Sequence, residues 1–103
     1  MWTRAYKERK VMTLKQLRYV VEVAEIGNIT EAAKRLFIAQ PSLTSAIREL
    51  ENEYHITIFN RSNKGIEITP EGDEFLGYAR QVLEQTNLIE EKYTGAGHSK
   101  QRF

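Results

Sequence analysis

The chain has 103 residues, of which 41% are hydrophobic and 28% charged, and its formal net charge is +1. This size is typical of one small globular domain and argues against a large enclosed active site. The absence of cysteine excludes disulfides, zinc–thiolate sites and thiol nucleophiles, and His55 and His98 are far apart in the sequence. No apolar run approaches the roughly 20 residues that span a bilayer. We therefore expect a cytoplasmic protein that is not an enzyme, with no catalytic residue, no metal, no cofactor and no membrane partner.

Charge is distributed unevenly along the chain. Residues 1–18 are rich in Lys and Arg, whereas most of the charged residues in 71–92 are acidic. Between these ends lie two stretches without acidic residues: residues 32–48, which contain Lys34, Arg35 and Arg48, and residues 54–66, which contain Arg61 and Lys64. A DNA-binding domain usually has a larger net positive charge, so these stretches are the local basic patches available for nucleic acid.

The first half of the chain has a helical apolar period. Residues 1–11 have no clear period and are interpreted as a disordered N-terminal arm or an expression remnant. A first helix is predicted from Leu14, with Gly27 and Asn28 as its end. Thr30 is predicted to cap a short second helix, in which two alanines allow another helix to approach closely. The apolar connector at residues 37–39 is expected to pack inward.

Pro41 predicts the start of a third helix, because the N–H that proline lacks has no partner in a helix's first turn. Leu43, Ile47, Leu50 and Tyr54 form a narrow core-facing stripe. Two short helices joined by a tight turn predict a helix-turn-helix, which can present its second helix to the major groove. At about 100° per residue, the opposite face of the third helix carries Pro41, Ser45, Arg48 and Asn52, with Ser42 and Thr44 on the flanks.

After Tyr54 the pattern changes to alternation, which predicts a short β-hairpin with Arg61 and Lys64 at its tip. Thr69 and Pro70 predict the start of a fourth helix that extends to Tyr93 with a period close to that of a coiled coil. A domain of this size cannot cover the whole apolar face of that helix, so a partner helix is expected. Residues 94–103 are interpreted as a flexible tail.

Other interpretations of these features stay open at this point. Serine and threonine on a helix surface are commonly only solvated, and Arg48 could pair with Glu49 or Glu51. A winged helix can also act as a protein-interaction module through its third or fourth helix. An enzyme is the weakest alternative, because no carboxylate pair, histidine cluster or phosphate loop has a workable spacing.

The segments ITEAAKRLFIAQPSLTSAIRELE, from Ile29, and IFNR followed by ITPEG resemble the N-terminal DNA-binding domain of LysR-type transcriptional regulators. The resemblance covers residues 12–93. It implies a mainly α fold, with a winged helix-turn-helix of three helices and a short β-hairpin over residues 12–69. A linker helix over residues 70–93 would pair antiparallel in a homodimer. The implied partner is double-stranded DNA carrying an imperfect inverted repeat, bound sequence-specifically.

The resemblance also implies a role for individual residues. The positions that correspond to the family's functional residues fall into three groups. Base contacts are expected at Gln40, Pro41, Ser42, Thr44 and Ser45; phosphate contacts at Thr30, Lys34, Arg48, Arg61 and Lys64; and dimer contacts at Phe75, Leu76, Ala79, Val82, Leu83, Thr86, Leu88 and Ile89.

The chain departs from the family pattern in three ways. Ser45 stands where many members have an arginine, so a common strong contact to guanine is missing. His55 stands where the third helix usually ends in glycine, so it must adopt a left-handed backbone or end the helix differently. The length leaves no room for the family's effector-binding domain. The polar tail favours an excised fragment over a natural short form, and a small-molecule effector is expected only if a C-terminal domain exists in the full-length protein.

Overall fold

The computed structural model describes residues 12–62 and 65–94. The predicted arm at residues 1–11, the tail beyond Thr94, and Asn63 and Lys64 of the predicted turn lie outside this part of the chain. The described residues form four helices and one antiparallel hairpin, which confirms the mainly α fold class. The elements are α1 (Leu14–Ile26), α2 (Ile29–Leu36), α3 (Gln40–Tyr54), β1 (Phe59–Ser62), β2 (Gly65–Ile68) and α4 (Pro70–Tyr93).

A backbone cap fixes where α1 ends, and a side-chain cap fixes where α2 begins. Gly27 ends α1 in the left-handed conformation, with φ 77°, as predicted. The prediction that Thr30 caps α2 is wrong, because α2 begins at Ile29 and Thr30 lies inside its first turn. The cap is Asn28, whose Oδ1 accepts a hydrogen bond from the Glu31 N–H at 2.8 Å. Asn28 has an extended backbone, so its side chain reaches the first free N–H groups of α2.

The core lies where α1 packs against the other three helices. The apolar stripe predicted for α3 is confirmed, because Leu43, Ile47 and Leu50 are buried. In α1 the stripe is centred on Val20 and Val23. The buried hydrophobic side chains of the described chain are Leu17, Val20, Val23, Ile29, Ala32, Ala33, Leu43, Ile47, Leu50, Ile58, Phe59, Leu76 and Ala79.

The turn between α2 and α3 contradicts the prediction that residues 37–39 pack inward. Phe37 is 93% exposed. It ends α2 in the left-handed region, with φ 59°, and its N–H donates to the carbonyls of Ala33 and Lys34. This cap turns the chain sharply and directs the Phe37 side chain away from the core. Ile38 does pack against the core, whereas Ala39 is exposed.

The predicted hairpin is present, with Phe59 paired to Ile68 and Arg61 paired to Ile66. Arg61 was expected at the tip, but it lies within β1, which continues to Ser62. A carboxylate from α3 holds the start of β1. Glu51 Oε2 accepts hydrogen bonds from the N–H groups of Ile58 at 2.7 Å and Phe59 at 3.2 Å.

The start of α4 is held by the residues that precede β1. Thr69 caps α4 as predicted, because its hydroxyl oxygen accepts a hydrogen bond from the Gly72 N–H at 2.8 Å. The same hydroxyl donates to the Thr57 carbonyl. Glu71 Oε2 accepts a hydrogen bond from the Thr57 N–H at 3.1 Å. In the described part of the chain, none of the helices combines the length and apolar character needed to cross a membrane.

Candidate nucleic-acid interface

The outer face of α3 is exposed along its N-terminal half. Gln40 and Pro41 are the first two residues of the helix, which confirms the predicted place of the proline. They are exposed together with Ser42 and Ser45, whereas Thr44 is half-buried. Ala39 precedes the helix and makes no side-chain cap. The five residues expected to contact bases therefore lie together on the first turns of α3.

A small polar cluster joins α3 to the hairpin. Gln40 Nε2 donates a hydrogen bond to Thr44 Oγ1 at 3.4 Å. Arg61 Nη2 donates to the same oxygen at 3.3 Å. Two residues expected to contact bases and one expected to contact phosphate thus meet at one hydroxyl. The Arg61 guanidinium reaches α3 because its strand passes beside the helix.

A cleft of about 390 Å³ separates α3 from the hairpin. Arg48 from α3 and Arg61 from β1 both line it, so two of the expected phosphate contacts share one cleft. The carboxylates that were candidates to pair with Arg48 have other partners. Glu51 holds β1, and Glu49 Oε1 accepts a hydrogen bond from Gln16 Nε2 of α1 at 3.3 Å. The described residues that line the cleft are Ile29, Ile47, Arg48, Glu51, Asn52, Phe59 and Arg61.

Two further residues expected at phosphates, Thr30 and Lys34, are not among the described residues that line this cleft. Thr30 is exposed in the first turn of α2, directly after the cleft residue Ile29. Lys34 is exposed in the last turn of α2. Lys64 lies outside the described residues.

The buried residues of the fourth helix all lie in its N-terminal half. Leu76 is 0% exposed and Ala79 2% exposed. These two residues were expected at a dimer interface, but they pack into the protomer's own core, where a partner cannot reach them. Phe75 is half-buried beside Tyr54, with 6.5 Å between the ring centroids.

The C-terminal half of α4 carries the other residues expected at the dimer interface. Val82, Leu88 and Ile89 are exposed, and Leu83 and Thr86 are half-buried. Tyr78 and Tyr93 are also exposed on this helix, although the sequence analysis did not include them. The exposed apolar side chains extend the surface that the sequence predicts for a partner helix.

The residues that hold these elements in place were not predicted from the sequence. Thr13 and Gln16 form a reciprocal cap at the start of α1, and their spacing is a recognised signal for such a cap. Glu51 and Glu71 bind backbone N–H groups that lie seven or more residues away, and no local pattern signals such bonds. His55 ends α3 with a left-handed backbone, at φ 54°, in place of the family's usual glycine.

Together these elements define a winged helix-turn-helix protein. Helices α2 and α3 form the helix-turn-helix, the hairpin is the wing, and α4 extends from the wing. Residues 14–73 match the family described as bacterial regulatory helix-turn-helix protein, lysR family. The chain belongs to this family, and it contains the family's helix-turn-helix DNA-binding domain.

The chain is similar to transcriptional regulators that are much longer. It is 44% identical over 77 residues to the HTH-type transcriptional regulator ClcR of Pseudomonas putida, covering 75% of this chain and 26% of ClcR. It is 47% identical over 73 residues to TfdS of Cupriavidus pinatubonensis, covering 71% of this chain and 25% of TfdS. The chain thus spans about a quarter of the length of these curated relatives.

Two solved structures of isolated DNA-binding domains with DNA are also similar to this chain. The CbnR DNA-binding domain in complex with DNA matches with a TM-score of 0.76 and 38% identity, covering 84% of this chain and 100% of that one. The BenM DNA-binding domain in complex with catB site 1 DNA matches with a TM-score of 0.78 and 36% identity, covering 84% and 98%.

Proposed function

We propose that this chain is the operator-reading part of a LysR-type regulator and that it inserts α3 into the major groove of double-stranded DNA. The observation that carries the proposal is the polar face at the start of α3, which is largely exposed. The chain has no acidic residue between Ala32 and Arg48. Short polar side chains of this kind allow close approach to base edges. The similarity to domains solved in complex with DNA supports DNA as the partner of this chain.

Base reading is assigned to Gln40, Pro41, Ser42, Thr44 and Ser45. The Gln40 amide can bind an adenine edge with two hydrogen bonds. Ser45 offers only a hydroxyl, which contacts any of several bases and discriminates less than the fork of an arginine does. The site therefore relies on Gln40 for most of its sequence preference.

Phosphate binding is assigned to Arg48 and Arg61 beside the cleft, to Thr30 and Lys34 on α2, and to Lys64 in the wing. An arginine has five N–H donors, so Arg61 can contact a phosphate while one of them binds Thr44. Contacts of this kind fix the register of a protein on DNA without reading its sequence. Each neutralised phosphate steepens the plot of the logarithm of the binding constant against the logarithm of the salt concentration by about 0.9.

Dimerisation is assigned to the C-terminal half of α4. Val82, Leu88 and Ile89 expose an apolar surface that a second copy of α4, running antiparallel, would cover. Leu83 and Thr86 border this surface, and Phe75 lies toward the core end of the helix. A homodimer would place two copies of α3 in successive major grooves of an imperfect inverted repeat.

A small-molecule effector is proposed only if the full-length protein has a C-terminal domain. The chain spans about a quarter of the length of its relatives. A protein that regulates transcription on bacterial DNA acts in the cytoplasm.

Selection of bound duplexes from a random pool tests the proposed function. We expect enrichment of a two-fold symmetric site, whose affinity by fluorescence anisotropy falls steeply with salt. A protein that is folded and dimeric but enriches no duplex and has no DNA affinity at low salt would overturn the proposal. That result would favour a protein-interaction module.

A further inference from the structure

The Thr44 hydroxyl has both of its acceptor positions occupied before any DNA is present. A hydroxyl oxygen has two lone pairs and one proton, so it accepts two hydrogen bonds and donates one. Gln40 Nε2 and Arg61 Nη2 each donate to Thr44 Oγ1, at 3.4 and 3.3 Å. These two donors leave only the hydroxyl proton of Thr44 for a further partner.

Thr86, which also lies inside a helix, uses that proton within its own helix. Its hydroxyl donates to the Val82 carbonyl, four residues earlier, at 3.0 Å. The Thr44 hydroxyl donates to no acceptor among residues 12–62 and 65–94. Its proton therefore has no acceptor in the described part of the chain and can bind one on DNA.

From this arrangement, and resting on the proposed DNA binding, we propose that Thr44 reads its base only as a hydrogen-bond donor. Gln40 and Arg61 act as positioning residues, because the hydrogen bonds that they donate leave the Thr44 hydroxyl able only to donate. In the major groove adenine, thymine and guanine each present an acceptor, whereas cytosine presents only its N4 donor. Thr44 therefore excludes cytosine from the base that it faces.

The arrangement also makes the wing part of base reading. Arg61 lies in β1, so the polarity of a hydroxyl on α3 depends on a side chain from the hairpin. Loss of the Arg61 donor frees one lone pair of Thr44. The hydroxyl can then accept a hydrogen bond from the amino group of cytosine, and the exclusion of cytosine is weakened.

The test compares Thr44→Val, which keeps the shape but removes the hydroxyl, with Thr44→Ser, which keeps the hydroxyl. The probe is the duplex that the wild-type chain selects from a random pool, with cytosine placed at each half-site position in turn. For the wild-type chain we expect one position where cytosine lowers affinity by about three- to tenfold, the range for one hydrogen bond. Thr44→Ser retains this discrimination and Thr44→Val loses it, whereas Thr57→Val, at an exposed site outside α3 and the wing strands, leaves it unchanged.

The free protein provides a second readout that does not depend on DNA. In ¹H–¹⁵N spectra, Thr44→Val shifts the Gln40 side-chain amide and the Arg61 Nε–H signals, whereas Thr44→Ser leaves both near their wild-type positions. Arg61→Met is expected to lower the discrimination against cytosine as well as the overall affinity. Unchanged discrimination in Thr44→Val, with DNA binding by the wild-type chain, would overturn this inference alone. Failure of the wild-type chain to select any duplex would overturn the proposed function together with it.

Discussion

Gly72 lies directly against the main chain of Ile58, so that a β-carbon on Gly72 would stand 2.4 Å from the Ile58 carbonyl oxygen. This contact brings the first turn of α4 onto the residues that lead into the wing. The neighbouring atoms belong to backbone, which cannot move aside as a flexible side chain can. The close approach thus sets where the long helix leaves the winged domain.

Gly72→Ala is therefore expected to destabilise the protein, by about 1–3 kcal/mol, because the added methyl group forces α4 away from Ile58. Urea unfolding measures the change. The matched control is Gly77→Ala, since a β-carbon there meets nothing within 4 Å. That change is expected to stabilise α4 by up to about 1 kcal/mol. Equal effects of the two substitutions would contradict the role assigned to Gly72.

Phe37→Gly is expected to stabilise the protein, by up to about 1 kcal/mol, because glycine adopts the left-handed backbone at φ 59° more easily than phenylalanine does. The side chain is 93% exposed, so its removal sacrifices little buried surface. Thermal unfolding measures the gain. Phe37→Ala keeps a β-carbon and is expected to show no such gain, and a loss of stability in Phe37→Gly would mean that the ring packs against the fold.

Arg48→Ala is expected to weaken binding to specific and unrelated duplexes alike, because phosphate contacts carry no direct sequence information. The plot of the logarithm of the binding constant against the logarithm of the salt concentration should become shallower by about 0.9 for each protomer. Anisotropy titrations over a range of salt concentrations measure both effects. Arg80→Ala removes the same charge from an exposed position on α4 and serves as the control. A changed base preference in Arg48→Ala would assign this arginine to base reading instead.

Ile89→Asp is expected to raise the dissociation constant of the dimer at least about tenfold, because it places a charge in an apolar contact. Ile89 is 61% exposed in the protomer, so the fold itself should be unaffected. Sedimentation equilibrium measures the association. Gln85→Asp adds the same charge at an exposed polar position of α4 and should have a much smaller effect. A dimer that resists Ile89→Asp would place the interface elsewhere.

The helices and the hairpin were predictable because each has a regular apolar period and a local start signal, such as Pro41 for α3 and Thr69 for α4. The errors occur where one residue has two possible roles. Asn28 was taken as the end of α1, although its side chain caps α2. Phe37 was expected to be buried because it is apolar, but the turn required a left-handed residue at that position.

The features of the candidate site that the sequence did not indicate arise from contacts between distant parts of the chain. Leu76 and Ala79 share the helical period of the exposed residues of α4, and only packing against the winged domain distinguishes the two sets. The bond between Arg61 and Thr44 joins residues 17 positions apart, so no spacing rule indicates it. The resemblance to a family indicated which residues contact DNA, but it did not indicate whether the Thr44 hydroxyl donates or accepts a hydrogen bond.

Chemical-shift mapping of the backbone amides tests the central claim, that the start of α3 reads DNA. The chain would be titrated with the duplex it selects from a random pool, and with a scrambled duplex as the control. We predict that the selected duplex causes its largest shifts at residues 40–48 and at residues 59–62 of the wing. The amide signals of the exposed C-terminal half of α4 should shift little. Shifts confined to α4, or identical shifts with the scrambled duplex, would contradict the account.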